Sequence, residues 1–235
     1  MVTIIGRSSS NSRILLQNIV NSIIGEYSGV PISISWGIES HLASLNGMRR
    51  LDAIEQLSVL SASGVNVPQF TEDINVAREW VNRGNLVFGR KRMHSQGTDI
   101  IGPNHPRWKD RDYWVKVVPN ILQEWRIHIF DGKSIARGLK VQVREPSRKM
   151  PIRNRKNGWN MVHNVAPPEE VRKIAKLAVK AVGYDFGGVD VYIATTDEGQ
   201  EEIGVFEVNK APGLDNYSAM AYANAIVRWI RNNYD

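Results

Sequence analysis

The chain has 235 residues, 42% hydrophobic and 23% charged, the balance of a soluble globular protein with room for one large domain or two small lobes sharing a core. Lysines and arginines exceed acids by six, an excess that suits a polyanionic ligand, either a nucleotide or a nucleic acid. The absence of cysteine excludes disulfides, thiolate catalysis, Cys-bound zinc and iron–sulfur clusters, and the five histidines (His41, His94, His105, His128, His163) lack a zinc-ligand spacing such as HExxH.

Val2–Ile5 reads as a short strand, followed by residues too polar for a signal peptide. No apolar run approaches the ~20 residues that span a bilayer. A cytoplasmic location is expected. The serine-rich stretch 8–12 precedes apolar positions Ile14, Leu15, Ile19 and Ile23, so its plain reading is a loop and N-cap; a phosphate nest is the alternative. Leu51, Ile54, Leu57 and Leu60 give Arg50–Ser63 a helical period, stopped by Gly64 and Pro68. Ile74–Val81 is a second short helix and Leu86–Gly89 a strand, followed by a polar loop around His94–Asp99.

Strands are expected over Tyr113–Val118, Trp125–Phe130 and Ser134–Val143, with Asp131-Gly132 turning the last two into a hairpin. Residues 144–164 read as an irregular basic segment. Pro168–Val182 is a helix closed by Gly183, Val189–Ile193 and Ile203–Val208 are strands, and Asn216–Asn232 is a final helix. Without a βαβα rhythm, this order predicts α+β architecture with antiparallel sheets rather than a doubly wound parallel sheet.

The last two strands carry the chemistry. A hairpin centred near Glu198 sets Asp190 beside Phe206 or Glu207. Glu207 and Asn209, two apart, share a strand face, while Val208 points into a core. Two carboxylates and an amide oxygen converging in this way repel unless a cation sits between them, and such hard oxygen donors suit magnesium. The competing interpretation is the solvent-facing side of an edge hairpin. Trp80, Trp108, Trp114, Trp125 and Trp229 read as packing residues; Trp125 alternates with Ile127 and Ile129 on one strand face.

Three stretches resemble the ATP-grasp superfamily, in particular its ribosomal-protein glutamate ligase type and small bacteriophage members. They are the Asp-bearing strand 187–191, the metal-binding strand 206–214 and the hairpin 123–133, whose pattern is E-x-R-v-h-v-f-x-g-k. Trp36-Gly37, Ile152–Asn154 and Asn157–Trp159 resemble the phage members as well. The resemblance implies a fold in which two α+β lobes clamp ATP, divided here into a short N-terminal α/β segment (1–47), a small lobe with the phosphate loop (48–118) and a large lobe with the metal site (119–235). It implies an ATP-dependent carboxylate–amine ligase working through an acyl phosphate, in the host cytoplasm if phage-encoded. Asp190, Glu207 and Asn209 would hold two Mg2+ ions, with Mn2+ as a substitute, and Arg126 and Arg153 would contact the transferring phosphoryl group.

By the same resemblance, Ser95, Gln96 and Gly97 form the closing loop, Arg50, Arg90 and Lys91 bind phosphate, Val115–Val118, with Lys116 and Val118, line the adenine, and Asn154 assists Arg153. The family places lysines where Arg50 and Arg90 stand, and it carries an acidic ribose ligand for which 116–120 offers no candidate. The acceptor amine and oligomeric state have no signature, although the ligase type forms dimers and tetramers. The rival expectation is a non-catalytic nucleotide- or nucleic-acid-binding protein on this fold; a phosphotransferase is a third. For the basic segment 144–159 the choices are a solvated loop, a triphosphate clamp, or a nucleic-acid contact with a base stacked on Trp159.

Overall fold

In the computed structural model, residues 1–25, 29–93, 100–145 and 152–234 are described. A parallel pair, β1 (Val2–Gly6) and β2 (Ile32–Trp36), brackets helix α1 (Asn11–Ile24). The Ser10 hydroxyl caps α1 by accepting from the Arg13 N–H, so the serine stretch includes the helix N-cap. Ile32–Trp36 is a strand that the expected elements do not include; Ile32, Ile34 and Trp36 are its buried apolar residues. This N-terminal unit has no separate core. Leu16, Val20, Ile34 and Trp36 pack with Phe130, Phe186 and Tyr222 of the C-terminal half.

Helix α2 (Ala53–Ala62) starts three residues later than its apolar period suggests. Asp52 takes the N-cap, and Glu55 completes a capping box. A small antiparallel sheet follows, with strands β3 (Phe70–Thr71), β5 (Tyr113–Lys116) and β4 (Val87–Arg90) in that spatial order, and α3 (Ile74–Asn82) packs beside it. Trp108, Trp114, Val87 and Ala77 form its core.

The larger antiparallel sheet has the order β10-β9-β6-β7-β8, from strands Ile121–Phe130 (β6), Lys133–Gln142 (β7), Trp159–Val162 (β8), Phe186–Thr195 (β9) and Glu201–Asn209 (β10). The segment expected to be irregular therefore contains a strand, β8. It is four residues long at the sheet edge, and pairing with β7 specifies it more than its own composition does. Asp131 and Gly132 turn the β6–β7 hairpin with φ of 47° and 67°, the double positive-φ pattern of a type I′ turn.

One face of this sheet is apolar. Trp125, Ile127, Ile129, Val189, Val191, Val205 and Val208 pack there against α4 (Glu169–Ala181), which presents Val171, Ala175, Ala178 and Val179 at helical spacing. The opposite face has two halves. At one end α5 (Asn216–Tyr234) lays Tyr222 across Phe130 and Phe186. The other end faces the small sheet across a cavity. No helix among the described residues is long and apolar enough to cross a membrane.

Candidate active site

The cavity holds about 590 Å³, and both sheets and α2 line it. A single rung of the large sheet supplies its charged floor. Glu207 pairs with Asp190, Asp190 with Arg126, and Arg126 with Gly138. A β-bulge sets this rung. The pairing steps from Val205–Val191 to Glu207–Asp190, leaving Phe206 as the extra residue. Without the bulge Glu207 would oppose Val189 on the apolar face; with it, Glu207 turns to the cavity and Val208 joins Val189 in the core. Phe206 instead lies against the Tyr192 ring, 4.7 Å between centroids.

The edge strand β10 is fixed from outside. The Gln56 side chain accepts from the Val208 N–H at 2.7 Å and donates to its carbonyl at 2.9 Å, so one amide of α2 satisfies both open backbone groups. Lys210, 2% exposed, donates to the carbonyls of Ile38 and Met48 and so ties the end of the strand to the N-terminal unit. Gly188 permits Pro212 to pack on the strand beside Asn209; an added Cβ would stand 2.7 Å from the Pro212 ring.

Four charged groups cluster on the floor, Asp190 and Glu124 buried, Arg126 and Lys140 partly so. Arg126 grips Asp190 in a fork, Nε to Oδ1 at 2.8 Å and Nη2 to Oδ2 at 2.7 Å. Lys140 on β7 is bonded to Glu124 and lies 4.0 Å from Asp190 Oδ2. Burial acts against the Asp190 charge, but Arg126 and Lys140 outweigh it and hold the carboxyl at about 2. At Glu124 burial, reinforced by Asp190, prevails over Lys140 and raises the pKa. Beside the quartet, Asn209 Nδ2 donates to Glu207 Oε1 at 2.9 Å.

Among the described residues no three acids or histidines form a metal-binding cluster. The donor set is two carboxylates and an amide, which fits a hard divalent ion completing its shell with phosphate oxygens and water. Glu207 and Asn209 suit such an ion in this arrangement. Asp190 suits it once an oxygen is released by Arg126.

Arg50, Arg90, Lys116, Val118, Arg126, Arg153, Asn154, Asp190, Glu207 and Asn209 all line the cavity. Lys91 does not; it is held by Asp112 at 3.0 Å and by the Asp110 carbonyl. Ser95, Gln96 and Gly97 lie outside the described residues. Lys116 places its ammonium 5.0 Å over the Trp80 ring. Arg153 donates to the Ile121 carbonyl at 2.6 Å and stacks on Trp159, 4.5 Å from its centroid. Asn154 caps the turn 155–157 through the Asn157 N–H. Phe88, Val115, Val117 and Val118 add an apolar wall.

Lys140 and Arg92 also line the cavity and carry no motif that marks them in the sequence. Lys140 could be found only from the exact hairpin register, which a second bulge at His128/Ile129 shifts by one.

His128 extends the polar face of β6 but is buried against Tyr222 instead of reaching the cavity, and its Nδ1 has no hydrogen-bond partner among the described residues. Burial, joined by the Arg126 charge, pushes its imidazole down to about 3. A folded-state pKa below the unfolded value of about 6.5 means that protons favour the unfolded chain, so this stability is present above about pH 6.5 and fades as pH falls toward 3. Between pH 7 and 5 the group should account for about 2 kcal/mol of lost stability. Urea unfolding at the two pH values is expected to show His128→Phe spared that loss; an equal loss in both proteins would refute the assignment.

The chain matches no protein-family model and no curated protein. Among solved structures it is similar to the ATP-grasp ligase PsnB complexed with a minimal precursor, Mg and ADP, with TM-score 0.68 and 12% identity over 97% of this chain and 96% of that one. The D-alanine–D-alanine ligase of Bacillus anthracis matches with TM-score 0.64 and 14% identity, over 98% and 97%. The macrocyclase MdnC of Microcystis aeruginosa MRC, bound with precursor peptide MdnA, matches with TM-score 0.60 and 12% identity, over 96% and 98%. The chain has the ATP-grasp fold, an α+β architecture.

Proposed function

We propose that the protein is an ATP- and Mg2+-dependent ligase that activates a carboxylate as an acyl phosphate and passes it to an amine. The observation that carries this reading is the single rung that sets Glu207, Asp190 and Arg126 side by side on the cavity floor, with Asn209 at its edge. The similarity to ligases complexed with Mg and ADP, and with ATP, supports a metal nucleotide as the ligand.

In this reading residues 48–118 and 119–235 are the two lobes, and their boundary falls in the connection between β5 and β6. The apolar wall at Phe88 and Val115–Val118 receives the adenine. Arg50, Arg90 and Arg153 bind phosphate oxygens; arginine in place of lysine keeps the charge and offers paired donors. Glu207, Asn209 and Asp190 would hold the divalent ions, whose charge would offset that of the phosphates. Arg126 stabilises the charge on the transferring group. Glu124, whose pKa is raised by burial, lines the same cavity and is the acid assigned in this reading to the ribose hydroxyls. Arg153 covers a face of Trp159, which favours the phosphate clamp over base stacking.

The chemistry can be tested before the substrates are known. ATP turnover would be followed with hydroxylamine as nucleophile and a panel of amino acids and short Asp- or Glu-containing peptides as carboxylates. Hydroxamate formed in step with ADP and phosphate is the expected result. AMP and pyrophosphate, or a stable phosphorylated product, would contradict it.

A further inference from the structure

The resting floor presents Asp190 with both carboxylate oxygens already taken. Arg126 occupies them in a fork at 2.8 and 2.7 Å, Lys140 stands 4.0 Å away, and the carboxylate is 5% exposed. At Asp190 a free divalent ion meets two partly buried cations and no open carboxylate oxygen. It would also have to displace a charge-assisted, bidentate bond without a replacement for Arg126, at the cost of leaving that guanidinium buried and unpaired. A nucleotide changes the balance, because its terminal phosphate offers Arg126 a second fork-shaped acceptor while the same phosphate brings its own metal.

We infer that Asp190 is closed to free metal ions and is opened only by a metal–nucleotide complex, whose terminal phosphate takes Arg126 in exchange. Arg126 thus sets the order of loading as well as contacting phosphate. Glu207 and Asn209, bonded to each other, are the entry point; Asp190 joins after the exchange. Lys140 remains with Glu124 throughout and keeps the released pocket from drawing in a stray ion. This inference rests on the ligase reading for the identity of the nucleotide, but not on turnover.

Mn2+ binding, read from loss of the free-ion paramagnetic resonance signal, tests it without activity. Wild-type protein is expected to bind Mn2+ alone at least tenfold more weakly than Arg126→Gln does. Arg153→Gln removes a cation from the same cavity without touching Asp190, and it should change Mn2+ affinity less than about threefold. Equal gains in the two variants would reduce the effect to general charge and overturn the exchange, as would no gain in Arg126→Gln.

Should Arg126→Gln not fold, the wild-type protein decides. The Arg126 Nε–H resonance should stay in place when Mg2+ is added alone and move when Mg2+ is added with a non-hydrolysable ATP analogue. Movement with Mg2+ alone overturns the inference while leaving the ligase reading intact. Absence of any nucleotide binding defeats both.

Discussion

Glu207→Gln is expected to lower metal-dependent ATP turnover by roughly 10²–10³-fold, the scale seen when one preorganised charge-stabilising group is removed from a transition state. The substitution keeps size and hydrogen-bonding capacity but removes the negative charge that would face the metal. Stability should hardly move. The Glu207 side chain is half-buried, and its hydrogen-bond partner is Asn209 Nδ2, which an amide oxygen can also accept from. A change within about 0.5 kcal/mol is expected. ADP release measured beside a thermal melt separates the two effects. Turnover within a fewfold of wild type would place the metal elsewhere.

Arg126→Met should do the reverse and strike stability first. It strands Asp190 as an uncompensated buried carboxylate with Lys140 4.0 Å away as its remaining neighbour. Breaking a buried pair in this way costs about 3–5 kcal/mol, which in a chain of this size lowers Tm by roughly 6–10 °C. The double variant Arg126→Met/Asp190→Asn removes the orphan charge and is expected to regain more than half of that loss. A double-mutant cycle by urea unfolding checks it. A single-variant cost below about 1 kcal/mol would mean that Lys140 alone balances Asp190. Both variants should be inactive, so activity cannot distinguish them and unfolding must.

The elements were largely readable because their patterns are strong. Ser10 caps a helix, Asp131-Gly132 demands a positive-φ turn, and Trp125, Ile127 and Ile129 alternate into the core. The face shared by Glu207 and Asn209 follows from strand period alone. What pattern could not supply was register. Phe206 and Glu207 were equal candidates to face Asp190 until the bulge chose between them. The bulge at His128/Ile129 likewise shifts the β6–β7 pairing by one, so that Lys140 meets Glu124, and nothing in the local sequence marks that shift.

Long-range docking was equally hidden. Gln56 reads as an ordinary polar position on α2, yet it closes the β10 edge from 152 residues away. β8 is a strand by virtue of its neighbour β7. Lys91 shows the opposite error of sequence reasoning. It stands beside Arg90 in the chain, but β4 ends at Arg90, and Lys91 turns to Asp112 rather than the cavity.

Calorimetric titration of ADP in the presence and absence of Mg2+, on wild type and Glu207→Gln, tests the central claim most directly. The wild type should bind ADP at least tenfold more tightly with Mg2+, and the variant should lose that enhancement while still binding ADP through the arginines and the apolar wall. ADP affinity indifferent to Mg2+, or an enhancement that survives in Glu207→Gln, would contradict a metal–nucleotide site built on this rung.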